Sequence, residues 1–349
     1  MQITSSYGVE IKKQNIPIRH TLRIYRSAVS YLIQVYAESW EELSKQEDAA
    51  YLKLYDGRDW KWFRVNLFHT DMEYLRKNWA GKKASAPTLE KRHHRYFLRF
   101  SYTEEISLSK TDAKEQTICS VDLGINTDAV CTLLRADGTV LGRKFINFSS
   151  DKDRLYHVLG RIRRFQREHG SRQVQSRWAY AKRLNTELAR RIAAAVTAYA
   201  LENRADVIVF EYLEMSGRIS GNKKQKLHLW RKRDIQKLCE HQAHRKGIRI
   251  SRVSARNTSR LAYDGSGAVV RDPENHSLCT FQTGKRYHCD LSAAYNIGAR
   301  YFIRELLKPF SETERSSLEA KVPSVKRRTS CVYADLRLLH AELEKYRIA

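Results

Sequence analysis

Three acidic residues stand where carboxylates could do chemistry together. Asp122 closes the apolar run 117–121, Glu211 closes the apolar run 207–210, and Asp290 opens a segment with helical spacing. In an open α/β sheet, the carboxyl ends of neighbouring strands meet in one crevice. Three carboxylates there would repel one another unless divalent cations bound, and two cations about 3.5–4 Å apart can activate a water and stabilise the leaving oxygen of a phosphodiester. Hard oxygen ligands suit Mg²⁺ or Mn²⁺, so the hypothesis is a two-ion phosphodiesterase site.

Spacing alone leaves alternatives open. An isolated Asp at the end of a strand is more often a turn former or a helix cap than a catalytic group. Glu214 follows Glu211 by three residues and competes with it on the same grounds.

Strands and helices alternate along the part of the chain that carries these carboxylates. Apolar runs at 117–121, 129–134 and 140–145 predict strands, and Asp137-Gly138 between the last two is a strong hairpin signal. A basic helical stretch follows at 152–203, then the strand that ends at Glu211, a helix at 234–246 and a strand at 249–253. This order predicts an α/β domain with a mixed sheet.

The N-terminal third is expected to combine strands with helices. Residues 1–14 and 95–102 read as strands that can pair, with helical spacing between Arg19 and Trp79 as an insertion. Trp60 and Trp62 fall in that helical stretch, and helix core explains each single Trp better than stacking on a base. The polar stretch 103–115 is the expected domain boundary.

The charge predicts a polyanionic partner, most simply nucleic acid. Lys and Arg number 64 against 39 Asp and Glu, which gives a net charge of +25. Residues 154–191 and 218–249 each hold eleven Lys or Arg and two acids. The candidate nucleic-acid contacts in these blocks are Arg161, Arg163, Arg164, Arg167, Arg177, Trp178, Lys182, Lys223, Lys224, Trp230, Arg231 and Arg233.

Other classes of protein are excluded or disfavoured. No run of 18 apolar residues is present, so no transmembrane helix is predicted, and the first residues do not resemble a secretory signal. The six cysteines form no CxxC pair and are expected to be reduced thiols.

Four blocks in order resemble the TnpB family, the transposon-encoded RNA-guided nucleases related to compact type V CRISPR effectors. The resemblance covers about residues 117–305. The matching blocks are Asp122-Leu123-Gly124-Ile125-Asn126, Val207 to Leu213 with Glu211, Leu227-His228-Leu229-Trp230, and Asp290 to Ile297, with Asn257-Thr258-Ser259 resembling a Tyr-Thr-Ser stretch.

The resemblance implies an RNA-guided, metal-dependent endodeoxyribonuclease with an RNase-H-like (RuvC) mixed-sheet domain. Asp122, Glu211 and Asp290 would hold two Mg²⁺ or Mn²⁺ ions. The partners would be a noncoding guide RNA, with scaffold and guide segments, and double-stranded target DNA chosen beside a short flanking motif. The expected location is the prokaryotic cytoplasm at the nucleoid, with no membrane partner.

The resemblance also implies a multidomain plan. It is an α/β and α+β chain whose N-terminal β-barrel (wedge) carries a helical recognition insertion. The expected domains are a wedge-like barrel at 1–14 and 86–115, a helical recognition insertion at 15–85, a RuvC-like nuclease at 116–257 with basic helices at 152–203 and a lid at 214–233, a degenerate zinc-ribbon insertion at 258–289, a last RuvC segment at 290–307 and a C-terminal tail at 308–349.

The chain departs from the family at the zinc ribbon. The family has two CxxC pairs, of which only Cys279 survives. A metal-free hairpin held by Leu278, Phe281 and Tyr287 is therefore favoured over a substitute zinc site. The substitute site would use His276, Cys279, His288 and Cys289.

Two other functions stay open. The chain could be an RNA-guided DNA-binding repressor that does not cut, or a guide-free, structure-specific RNase-H-like nuclease. The intact carboxylate set favours cleavage over the first. The helical N-terminal unit and the excess positive charge favour an RNA partner over the second. The sequence does not distinguish a transposon from a CRISPR origin.

Overall fold

The computed structural model describes residues 2–12, 30–32, 48–79, 87–92, 95–170, 174–212 and 223–348. The chain divides into two compact units, Met1–Ser107 and Leu108–Ala349. The segments 13–29, 33–47, 80–86 and 213–222 lie outside the described residues. About half of the predicted helical insertion and the first part of the predicted lid fall in those segments.

The described part of the first unit consists mainly of strands. Its elements are β1 (Gln2–Glu10), β2 (Ser30–Leu32), β3 (Ala49–Tyr55), β4 (Trp60–Asn66), α1 (His69–Trp79), β5 (Thr88–Arg92) and β6 (Arg95–Glu105). One sheet has the order β1-β6-β5-β2, and β3 and β4 form a separate antiparallel pair. β1 runs antiparallel to β6 along its whole length, so the predicted pairing of these two strands is confirmed.

The helical prediction for residues 49–66 is wrong. Ala50, Leu52 and Leu54 are fully buried while Tyr51 is exposed, which is the two-residue period of a strand. Trp60 and Trp62 stand on β4 of the same hairpin. The aromatic residues of this stretch suit a pleated surface. The apparent helical spacing arises when residues on the two opposite faces of the hairpin are counted as one apolar face.

The second unit carries the three carboxylates. Its elements are β7 (Thr117–Asp122), β8 (Ala129–Arg135), β9 (Val140–Ile146), α2 (Ser149–His169), α3 (Gln175–Glu202), β10 (Val207–Tyr212), α4 (Lys223–His244), β11 (Arg249–Ser254), β12 (Val270–Arg271), β13 (Leu278–Thr280), β14 (Arg286–His288), α5 (Cys289–Leu307), α6 (Glu312–Lys321) and α7 (Tyr333–Ile348).

Five strands of this unit form one mixed sheet, as predicted. The order is β11-β10-β7-β8-β9. β7, β8 and β9 are antiparallel neighbours, whereas β10 runs parallel to both β7 and β11. The turn at Asp137-Gly138 joins β8 to β9, with Gly138 at φ 87°. The parallel strands are joined through helices, as parallel connections require.

Helices cover both faces of this sheet. α5 packs on one face with α7, and its core residues include Ile297 and Phe302. α3 and α4 pack on the other face. Gly298 lets α5 approach the strands closely, because a Cβ there would lie 2.4 Å from Leu134 Cδ1 and 2.9 Å from Ser120 Oγ. The result is a three-layer sandwich.

A small three-stranded sheet, β12-β13-β14, lies between β11 and α5 in the sequence. Phe281 and Tyr287 pack with the buried Cys279 and Cys289 in its apolar cluster. Among the described residues, no helix has both the length and the apolar character needed to cross a bilayer.

Candidate active site

Strand parity brings Asp122 and Glu211 to the same face of the sheet. Val207 pairs with Ile118 and Val209 with Ser120 in the parallel register of β10 and β7. Two residues further along, that register puts Glu211 beside Asp122. Ile118, Val207 and Val209 belong to the core that faces α5, so with a period of two the carboxylates at 122 and 211 face α5 as well.

Asp290 comes to the same place on the first turn of α5. Asp290 lies beside Gly124, two residues after Asp122. A Cβ at Gly124 would lie 2.4 Å from the carbonyl oxygen of Thr127 and 3.4 Å from Asp290 Oδ2. A side chain at position 124 would therefore clash with the turn after β7, whereas its distance from the Asp290 carboxylate is that of an ordinary van der Waals contact.

The three carboxyl groups have raised pKa values. Burial raises the pKa of Asp122 well above its ordinary value, and the charges of Glu211 and Asp290 raise it further. Burial is also the main cause of the raised pKa of Glu211 and of Asp290. The charge of Lys232 on α4 lowers the pKa of all three. Asp122 thus interacts with both of the other carboxyl groups, and Lys232 is the cation they share.

Glu211 is held by two neighbours. The hydroxyl of Thr258 donates a hydrogen bond to Glu211 Oε1, and this bond lowers the pKa of Glu211 against the effect of burial. The side-chain amide of Gln236, on α4, donates to the backbone oxygen of Glu211 at 2.9 Å. Thr258 is only 1% exposed, so its hydroxyl faces the carboxylate without competition from bulk water.

Thr258 is itself held by α5. Asn257 just before it adopts φ 65°, a left-handed conformation that Asn tolerates better than most residues. The side-chain amide of Asn296 donates to the carbonyl oxygens of Thr258 and Leu261 at 3.0 and 2.9 Å. Arg300 donates to the carbonyl oxygens of Ser254 and Arg256 at 2.8 and 2.7 Å. These bonds fix the loop that presents Thr258 to Glu211.

Sequence reasoning did not identify Thr258, Asn296, Arg300 or Lys232 as site residues. Thr258 and Asn296 stood inside blocks that resemble family motifs, so that resemblance was the signal that could have found them. Lys232 was hidden in a block of similar cations, where nothing in the composition distinguishes one member.

The donor set fits a divalent cation in chemistry. Carboxylate oxygens are the ligands that Mg²⁺ and Mn²⁺ prefer, and all three carboxyl groups lie in buried surroundings that raise their pKa values. Within the described residues, no group of three or more His, Cys, Asp or Glu side chains converges closely enough to hold one ion.

The residues of the suggested substitute zinc site are not gathered around one point. Cys279 and Cys289 are buried free thiols, whereas His276 is exposed. Burial raises the pKa of both thiols, to about 12 for Cys279. His288 instead packs edge-on against Phe145, with ring centroids 5.0 Å apart.

The basic side chains of α2 and α3 are mostly at the surface. The exposed members are Arg161, Arg163, Arg164, Arg167, Arg177 and Lys182, and Arg233 on α4 is exposed too. A concave surface of about 400 Å³ on α2 is lined by Tyr156, His157, Gly160, Arg161, Arg163 and Arg164. The side chains of Lys223, Lys224 and Trp230 lie outside the described residues.

One predicted nucleic-acid contact is corrected. Arg231 is 2% exposed and forms a buried ion pair with Asp128, Nη2 to Oδ1 at 3.5 Å, so it is not available at the surface. Trp178 is half-buried and packs against the apolar cluster of α2 and α3 that includes Leu155 and Leu159. Its predicted contact with a base stays a prediction.

No protein-family model matches the chain, and no curated protein matches it. Several solved structures are similar at low identity. A Cas12f1–sgRNA–target DNA complex has 16% identity and a TM-score of 0.40, over 85% of this chain and 66% of that chain. The mini-RNA-guided endonuclease Cas-phi3 has 13% identity and a TM-score of 0.46, over 70% of this chain and 56% of that one. The AacC2c1–sgRNA binary complex has 8% identity and a TM-score of 0.47, over 73% of this chain and 52% of that one. The chain thus spans about half to two thirds of the length of these structures, and likeness at this level does not assign an activity.

Proposed function

We propose that the chain is a divalent-cation-dependent nuclease with an RNase-H-like domain, directed to double-stranded DNA by a guide RNA. The observation that carries the proposal is the meeting of Asp122, Glu211 and Asp290, from three distant parts of the sequence, on the α5 face of one sheet. The sheet itself supports it, because three antiparallel strands followed by two parallel ones, with the first strand in the centre, is the arrangement expected of an RNase-H-like domain.

Each side chain of the candidate site has its own role in the proposed reaction. Asp122, Glu211 and Asp290 would hold the cations, because their side chains are acidic and the charges of Glu211 and Asp290 both act on Asp122. When bound, such ions activate water and stabilise the leaving oxygen of a phosphodiester. Thr258 orients Glu211 and favours its ionised form against the effect of burial, and Lys232 balances part of the negative charge that would otherwise repel a phosphate.

The guide and target partners are supported by charge. The net charge of +25 and the exposed arginines of α2 offer a surface for a nucleic-acid backbone without reading its sequence. The concave surface around Tyr156, Arg161 and Arg164 gives phosphates a place to dock. Binding through these residues should weaken steeply as salt rises, through counterion release.

The test is made with the full chain expressed beside its native flanking DNA. RNA that co-purifies is sequenced, and the complex is incubated with double-stranded DNA that carries a matching segment, with and without Mg²⁺. We expect one discrete RNA and cleavage that needs Mg²⁺ and is abolished in Asp122→Asn. Asp153→Asn, which changes an exposed carboxylate on α2, serves as the matched control and should cleave normally.

Each part of the proposal can fail separately. If only random RNA fragments co-purify, the guide RNA is excluded and the chain is a metal-dependent nuclease without a guide. A discrete RNA with target binding but no cleavage would make the chain a guided DNA-binding protein. Cleavage by Asp122→Asn equal to that of the unmodified chain would remove the assigned site.

A further inference from the structure

The outer face of the β3–β4 hairpin carries an unusual set of side chains. Directly opposed residues of an antiparallel pair share a face of the sheet. Three successive opposed pairs put four aromatic rings, two cations and no carboxylate on one face. The pairs are Tyr51 with Arg64, Lys53 with Trp62, and Tyr55 with Trp60.

The inner face of the same hairpin anchors it to the core of the first unit. Ala50, Leu52, Leu54 and Val65 are all 0% exposed. Packing therefore fixes which face points outward and does not require the outer aromatic rings. Tyr51 is nevertheless 47% exposed and Trp62 46% exposed, a placement that helix or sheet core does not explain.

Exposed aromatic rings beside cations point to a ligand with both flat apolar and anionic parts. An exposed apolar patch rimmed by polar residues marks a binding surface. Aromatic rings on a sheet face stack on unpaired bases, while neighbouring Lys and Arg follow the phosphates. Opposed pairs on one face repeat about every 6.6 Å along the strands, so the rings form successive steps rather than one spot.

Asp56, in the turn between the strands, is engaged by groups of that same turn and of the start of β4. Asp56 accepts hydrogen bonds from the backbone of Arg58 and Asp59, both at 2.8 Å, and pairs with Lys61 at 2.6 Å. Lys53 stands in the middle pair of the aromatic set and Arg64 at one end of it, opposite Tyr51, and cations in such a set suit a polyanion better than an apolar protein surface.

We propose that the outer face of the β3–β4 hairpin is a stacking platform for unpaired bases of single-stranded RNA, with Trp62 and Tyr51 as its main rings. The choice of RNA rests on the proposed function, in which the chain holds a noncoding RNA with unpaired segments. The platform is separate from the carboxylate site and needs no metal.

The test uses the full chain, freed of bound RNA, and a fluorescein-labelled single-stranded oligouridine, whose binding is measured by fluorescence anisotropy. The salt concentration is about 0.15 M, where long-range electrostatic attraction is largely screened. Trp62→Ala and Tyr51→Ala remove one ring each. Trp62→Phe keeps a ring, and Leu338→Ala changes an exposed apolar residue elsewhere, 57% exposed on α7. Thermal melting accompanies each variant, to show that the core beneath is unchanged.

We expect Trp62→Ala to weaken binding about ten-fold, the loss typical of one base–aromatic stack, with Trp62→Phe within about three-fold of the unmodified chain. Tyr51→Ala should weaken it by a comparable factor and Leu338→Ala not at all. Equal binding by Trp62→Ala and the unmodified chain, at unchanged melting temperature, would overturn the platform. A loss seen with oligothymidine but not with oligouridine would overturn the assignment to RNA. An unmodified chain that binds no RNA would overturn the platform and would count against the proposed function as well.

Discussion

The buried ion pair between Arg231 and Asp128 gives a prediction that distinguishes a structural role of Arg231 from a role in nucleic-acid binding. Both side chains are almost completely withdrawn from solvent, at 2% and 0% exposure, and Arg231 Nη2 lies 3.5 Å from Asp128 Oδ1. Asp128 Oδ2 also accepts from the backbone amide of Phe148 at 2.8 Å and faces Lys152 at 3.7 Å. Asp128→Ala removes all three interactions and leaves a guanidinium buried without its counterion.

The size of the effect follows from that imbalance. Breaking a buried pair by removing one partner typically costs about 3–5 kcal/mol, because an uncompensated charge is left behind. For a unit of this size, that loss lowers the melting temperature by roughly 6–20 °C. Arg231→Met should cost less, since Asp128 keeps the Phe148 amide and Lys152. The pair is imperfectly satisfied, because Arg231 Nη1 and Asp128 Oδ1 have no hydrogen-bond partner among the described residues. Asp128→Ala combined with Arg231→Met should therefore recover at least half of the loss caused by Asp128→Ala alone.

Thermal and urea unfolding of the four proteins complete the double-mutant cycle. The same proteins are assayed for oligonucleotide binding, because the sequence alone placed Arg231 among the nucleic-acid contacts. We expect the stability losses just described and binding by Arg231→Met within about two-fold of the unmodified chain at temperatures where it is folded. Unchanged melting together with markedly weaker binding in Arg231→Met would refute the structural role of Arg231. Strictly additive losses would refute the coupling.

Three further predictions concern the candidate site and its support. Thr258→Val should slow Mg²⁺-dependent cleavage roughly ten-fold or more in a single-turnover assay, because a hydrogen bond to a charged group contributes about 1.5–3 kcal/mol. Thr258→Ser keeps the hydroxyl and should retain most of the rate in the same assay. A Ser variant as slow as the Val variant would contradict this prediction. In EDTA, Asp122→Asn should melt at a higher temperature than the unmodified chain, and the difference in melting temperature should grow as the pH rises above about 4. The reason is that a group with a raised folded-state pKa contributes stability at low pH that is lost as the pH rises through that pKa. A difference that shrinks with rising pH would contradict this prediction. Gly298→Ala should lower the free energy of unfolding in urea by about 1–3 kcal/mol, since the new Cβ would lie 2.4 Å from Leu134 Cδ1. The control, Gly160→Ala, has open space at its Cβ and should raise that free energy by up to about 1 kcal/mol.

The central sheet could be predicted from the sequence because its signals are local. The apolar runs that end at Asp122 and Glu211 are short and continuous, as buried strands are, and Asp137-Gly138 marks the hairpin. The same local signals failed at residues 49–66. Large aromatic residues there stand on the outer face of a hairpin, where a binary pattern of apolar and polar residues cannot show that they are exposed.

Arg231 shows a different limit. It sits in a run of cations whose composition indicates a solvated, nucleic-acid-facing surface, yet its counterion Asp128 lies in the connection between β7 and β8, far away in the sequence. Only the packing of α4 on the sheet brings the two together. The neighbouring Lys232 acts instead on the three carboxylates, so adjacent residues of one basic block have unrelated roles.

The C-terminal segment, whose role the sequence left open, is tied to the candidate site through α5. Besides holding Ser254 and Arg256, the Arg300 guanidinium donates to the carbonyl oxygens of Thr329 and Cys331, both at 3.0 Å. Asn296 binds the loop on one side and accepts from the backbone amide of Tyr333, at the start of α7, at 3.0 Å. One buried helix therefore holds the Thr258 loop and the C-terminal segment with the same two side chains. Because Thr258 holds Glu211, the packing of α7 and the orientation of a proposed metal ligand are parts of one hydrogen-bonded structure, and a chain cut before Thr329 would lose the support of both.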